Sequence, residues 1–175
     1  MADRNEGALQ AAIKALEHAV LPAVNPADPL AGEQLRLVMG YLKLLRQRLE
    51  HVEDRARFEL EHYRAMAEAL RDDARIQGGE VARRFEAALG QAGTAVGAAD
   101  VRAATAALAG AVSGLVRVAA DADPERRRRI EHTVARLSKR WIDAQRAWFA
   151  PLGFELRPEQ LPPLAEALRP APARA

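Results

Sequence analysis

The segment PLAGEQLRLVMGYLKLLRQRLEHVEDRARFELEHYRAMAEALRDDARIQ, residues 29–77, has no proline after Pro29 and only two glycines, Gly32 and Gly40. Leu35, Val38, Leu42, Leu45, Leu49, Val52, Ala56, Glu59, Tyr63, Met66 and Leu70 recur through it at alternating steps of three and four. That spacing lines them along one face of a helix at the coiled-coil period. An unbroken helix over this segment is about 70 Å long at ~1.5 Å per residue and needs partners along its length. Glu53-Asp54 offers an alternative, a cap that would start a second helix and fold the stretch into two antiparallel arms. The heptad phase passes that point without a slip, and no glycine or proline stands there to turn the chain, so the sequence predicts continuity. Leu37, Tyr41 and Leu44 widen the stripe in its first half. Arg57, Glu59, Glu61 and His62 interrupt the second half, so the first is expected to be the better buried.

The flanking elements follow from local signals. A first helix beginning after Asp3 or Asn5 carries Leu9, Ile13, Leu16, Val20 and Val24, and Pro22 kinks or ends it. Asp28-Pro29 and Asp123-Pro124 each pair a capping carboxylate with a proline at the first helical position. Gly78-Gly79 ends the long segment, and Val81, Phe85 and Leu89 mark a shorter helix over 80–92. Asp100 is expected to cap an alanine-rich helix carrying Ala104, Leu108, Ala111, Val112, Leu115 and Val118. The Gly110/Gly114 pair and the alanines in that helix should let another backbone come close. Ile130, Val134, Leu137, Trp141, Ala144 and Trp148 give the last long helix its stripe. Pro151-Leu-Gly-Phe ends it, and Leu156, Leu161, Leu164 and Leu168 are expected to anchor the remaining turns on the bundle.

Of the 175 residues, 49% are hydrophobic but only 5% are aromatic, because alanine supplies much of the apolar content. Alanine favours helix and buries little area, so the core should be thin. Acids and bases nearly cancel at a formal +2, which gives no reason to infer a nucleic-acid partner from charge alone. The chain has no cysteine, which excludes disulfides, thiolate chemistry and cysteine metal sites and suits a reducing cytoplasm. No secretory leader is read at the N-terminus, and the most apolar stretch, 101–120, is bracketed by Arg102 and Arg117, so no membrane span is expected.

Three groups of residues invite a functional reading. Glu59 is the one charge on the long stripe, and His62 shares its face three residues on. Glu-x-x-His resembles the element that ferritin-like di-iron proteins carry on two of their helices. A second copy is absent here: His132 is the histidine of the last long helix, and Arg129 stands where its glutamate would be. A divalent metal at Glu59 and His62, with Tyr63 beside them, is therefore half a pattern. The bland alternative pairs Glu59 with Arg136 or Arg140. Arg126, Arg127, Arg128 and Arg129 form the densest charge run, but four consecutive residues point all round a helix and do not make one reading face. Trp141 and Trp148, seven apart, suit core packing or a partner surface. No phosphate-binding glycine loop and no nucleophile elbow is present.

The expectation is an all-α fold: an elongated bundle of about five helices built round one very long helix at residues 29–77. Residues 1–168 would form one domain, and 169–175 a disordered tail. Function is expected to be non-catalytic: an interaction or assembly module in the cytoplasm, forming a homo-oligomer, preferably a dimer, or meeting another protein. A metal- or small-ligand-binding bundle centred on Glu59 and His62 is the alternative, and nucleic-acid binding through Arg126–Arg129 stands third. No cofactor is predicted.

Overall fold

The computed structural model describes residues 2–169, and all its regular structure among them is helical. Six α-helices of 14 residues or more follow in order: α1 (Ala2–Ala15), α2 (Pro29–Arg48), α3 (Val52–Gln77), α4 (Gly79–Thr94), α5 (Ala98–Ala119) and α6 (Pro124–Phe149). A single turn, α7 (Leu164–Ala167), comes last. The expected tail, apart from Arg169, lies outside the described residues.

The long segment is one helical path from Pro29 to Gln77. A 3-10 turn at Leu49–His51 joins α2 to α3, and Arg48, Leu49 and Val52 all keep right-handed helical dihedrals. Asp28 caps it as expected, its carboxylate accepting from the Ala31 N–H at 3.0 Å. Gly78 closes it with φ +70° and ψ −164°, a conformation that only glycine adopts readily. Asp123 repeats the cap, accepting from the Arg126 N–H at 2.9 Å. The cap of α5 differs from expectation. The helix starts three residues before Val101, and Asp100 sits inside its first turn, its carboxylate reaching back to the Gly97 N–H at 3.4 Å. Pro22 does end the first helix: it offers no amide to the preceding turn, which widens to π geometry at Leu16–Val20 before a 3-10 turn carries Pro22 itself.

The chain folds into two compact units, Met1–Val52 with Arg146–Pro162, and Glu53–Gln145 with Pro163–Ala175. In the first, Ile13, Met39 and Leu44 are buried, together with Ala147 and Trp148. Lys43 on α2 reaches Glu17 at 2.6 Å. Arg48 points its guanidinium at the end of α6, where Nε donates to the Trp148 carbonyl at 3.0 Å and Nη2 to the Ala147 carbonyl at 3.2 Å. The same cation lies 5.7 Å from the Trp148 ring centre. Arg146 donates twice to Glu155, which holds that carboxyl down at about 2 and fixes the chain after α6.

The second unit holds the larger core. Met66, Leu70 and Ala74 of α3, Phe85, Ala88 and Ala92 of α4, Leu108, Val112 and Leu115 of α5, and Ile130 of α6 belong to one buried cluster, half of it alanine. α4 and α5 pack most closely, which the small side chains allow. The glycines contribute nothing to this: a Cβ at Gly110 or Gly114 would meet no neighbouring atom within 4 Å. Alanine at 104, 111 and 119 makes the close approach instead. By length and composition α5 is apolar enough to cross a membrane; six of its residues are buried in the protein.

Two burial expectations are corrected. The first half of the long segment is the more exposed: α2 buries only Gly32, Met39 and Leu44, whereas α3 buries Phe58, Met66, Ala67, Leu70, Asp73 and Ala74. Leu156 anchors nothing at 95% exposure, while Leu168 is buried.

Three substitutions probe this packing by chemical denaturation. Leu108→Ala should cost about 2–5 kcal/mol, since its fully enclosed side chain leaves a cavity. Leu156→Ala should change stability by less than about 0.5 kcal/mol. Gly110→Ala should stabilise by about 0.5–1 kcal/mol, because the helix interior is relieved of glycine and the new methyl enters open space.

Candidate functional site

Within the second unit α3 and α6 run antiparallel, with polar side chains marking their register. Glu59 meets Gln145, His62 meets Trp141, Asp73 meets Arg129 and Gln77 meets Arg126. Partner numbers fall along α6 as they rise along α3, as antiparallel pairing requires.

At one end stands the expected polar interruption. Glu59 accepts from Arg55 Nε at 2.9 Å, one turn earlier on its own helix, and from Gln145 Nε2 at 3.4 Å. Arg55 also donates to Gln145 at 3.0 Å, closing a three-membered polar cluster. The pairing thus differs from the expected partners, and Arg140 lies instead over the Phe58 ring, 5.0 Å from its centre. His62 stacks on Trp141, with ring centres 6.2 Å apart and planes 26° apart. Tyr63 presents an edge to the same imidazole at 5.0 Å. Burial pushes the His62 pKa below 6.5, the Arg140 cation adds to this, and Glu59 opposes it. Burial and Glu59 together push the Tyr63 hydroxyl above 10. Among the described residues no three histidine, aspartate or glutamate side chains gather as metal ligands.

At the other end the arginine run is divided by direction. Arg126 and Arg129, three apart and so on one side of α6, both reach Asp73. This aspartate is the one buried charged side chain among the described residues. Arg129 donates to Asp73 Oδ1, and Arg126 brings its Nε to 3.6 Å from the same oxygen. Arg126 also donates to the Asp73 carbonyl at 2.6 Å and to Gln77 at 3.0 Å. Arg127 turns to Glu131, one turn along α6, at 2.8 Å. Arg128 faces solvent. The four arginines do not converge on one surface.

The two tryptophans part company. Trp148 is buried in the first unit beside Arg48. Trp141 is half-buried in the second and lines an open groove of about 620 Å³. His62, Tyr63 and Met66 of α3 form one wall of this groove. Val112, Ser113, Val116 and Arg117 of α5 form another, and Val134, Ser138, Trp141 and Ile142 of α6 the third. The indole N–H of Trp141 is closed off from solvent without an acceptor among the described residues.

His62, Tyr63 and Trp141 were candidates from the sequence, but nothing in it brought them together, and Asp73, Gln77 and Arg117 were missed. A signal for the first two exists. Continuing the three-four spacing beyond Leu70 reaches residues 73 and 77, so both polar side chains stand on the stripe. Arg117 looked like a charge that bounds an apolar run, and only the packing of three helices makes it part of a groove.

The chain matches no protein family, no curated protein and no solved structure.

Asp73→Ala should destabilise the protein by about 3 kcal/mol or more, because it leaves two arginines facing a partly buried void. Arg129→Ala, whose side chain is half-exposed, should cost less, and the double variant should fall well short of the sum in a denaturation cycle. His62 should titrate below 6.5 in a proton NMR series, moving lower still in Glu59→Gln and higher in Arg140→Gln. Its folded value is depressed, so its contribution to stability is complete above about pH 6.5 and is lost as pH falls through the folded value.

Proposed function

We propose that this protein is a non-catalytic assembly module that pairs with a second copy of itself through the exposed ridge of α2. One observation carries the reading. Val38, Tyr41 and Leu45 recur at a step of three and then four, and they are 49%, 50% and 54% exposed. Single exposed apolar residues are ordinary on a protein surface. A row at the coiled-coil period is different, because that spacing suits packing against another helix. Leu30 and Leu37 lie on the same helix and are also exposed. All these residues belong to the first unit. A two-fold axis lets one such ridge meet its own copy without a second kind of surface.

The charge pattern supports an apolar rather than an electrostatic contact. Arg36, Lys43, Arg46 and Arg48 outnumber Glu33 on α2. Copies of this helix repel each other electrostatically, so added salt should favour pairing, the opposite of its effect on nucleic-acid binding. The arginine run on α6 gives little support to the nucleic-acid reading, since Arg126, Arg127 and Arg129 are engaged with acids of the same chain. Glu59 likewise has its carboxylate satisfied within the protein, which weakens a metal reading centred there. A cytoplasmic setting fits a chain without cysteine.

Sedimentation equilibrium should show a reversible dimer with a dissociation constant of about micromolar, as expected for a modest interface. Leu45→Glu should give a monomer with an unchanged far-ultraviolet dichroism spectrum, and raising salt should tighten the wild-type dimer. A wild-type monomer at about 100 µM, well above that constant, overturns the proposal.

A further inference from the structure

The groove between α3, α5 and α6 has features that the assembly reading does not use. Its volume lies within the range of small-molecule sites. Met66, Val116, Val134 and Ile142 give it an apolar floor and walls, and no aspartate or glutamate is among its lining residues. That is notable in a chain with 24 acidic residues. Arg117 stands at its rim, exposed, and no salt bridge engages its guanidinium among the described residues. Ser113 lies one turn earlier on the same side of α5, and Ser138 adds a second hydroxyl from α6. Burial lowers the His62 pKa and so favours its neutral form, and Arg117 is the one permanent charge in the lining.

We propose that this groove binds an aliphatic monocarboxylate of medium chain length, with its hydrocarbon along Met66, Val116, Val134 and Ile142 and its carboxylate on the Arg117 guanidinium. The chemistry excludes other classes on simple grounds. A cationic ligand would meet only Arg117 and no acid. A polyphosphate would need more than one cation. A wholly apolar ligand would leave the guanidinium and hydroxyl rim unused. Arginine suits a carboxylate because its planar fork matches the two oxygens.

Calorimetric titration of the full chain with decanoate at pH 7.5 tests this. One molecule per chain should bind with a dissociation constant below about 1 mM, at least about tenfold more tightly than decyltrimethylammonium, which has the same tail and the opposite charge. Arg117→Gln should weaken decanoate about tenfold or more while leaving decanol binding unchanged. Ile142→Asp, at a half-exposed position in the groove wall, should weaken both, and Leu156→Asp, far more exposed and outside the groove lining, should weaken neither. Both arginine and isoleucine variants are checked for folding by thermal denaturation. No decanoate binding, equal binding of the ammonium, or an unchanged affinity in Arg117→Gln overturns the proposal. Repeating the titration on Leu45→Glu separates it from the assembly reading: decanoate binding should persist in a monomer, and a dimer that binds no decanoate sinks only the groove.

Discussion

The second unit depends on one carboxylate. Asp73 is nearly enclosed, and a buried acid without a partner is among the most costly features a small domain can carry. Two arginines from α6 answer it, and because they are three residues apart they can do so only when α6 lies against α3 in one register. Apolar side chains give adhesion but tolerate sliding. The Asp73 cluster does not, since a shift of one residue leaves a charge stranded. Gln77 and the Glu59–Gln145 pair repeat the constraint at either side along the same seam.

That arrangement explains a division of labour in the core. α4 and α5 approach closely through alanines, whereas α3 and α6 are joined by long side chains: arginines, glutamines, a tryptophan. Close packing of small residues gives contact without leaving room. Long residues hold helices further apart, and the space they leave beside α5 is the groove. At the groove's edge His62, Tyr63 and Trp141 form one continuous ring contact.

The fold class, the helix order and the unbroken run from Pro29 to Gln77 were legible because they rest on local signals: periodicity, capping acids, proline and glycine. The site was only partly legible. Glu59 stood out as a charge on an apolar stripe, yet the same spacing continued past Leu70 reaches Asp73, which is better buried, and Gln77, which is exposed. Their partners are more than forty residues away, so nothing local distinguishes them from surface polar residues. The misjudged burial of α2 has a different cause. A 3-10 turn of three residues advances side-chain phase by about 60° beyond an α-helix, so one heptad frame does not keep one face through it. Val38 and Leu45, before the turn, point outward, while Met66 and Asp73, well after it in the same sevenfold series, are buried.

The two Asp-Pro steps have a chemical consequence distinct from capping. The peptide bond between aspartate and proline is unusually labile in acid, because the carboxyl group assists cleavage and the proline nitrogen leaves readily. The residues that begin the long helical run and α6 therefore also mark the chain's two preferred points of scission, at 28–29 and 123–124. In the folded protein both carboxylates are occupied by backbone amides of the helices they start. Mild acid should then cut slowly while those first turns stay closed, and faster as they fray. The fragment pattern gives a chemical clock for the opening of the helix ends, one that needs no label and no structural probe.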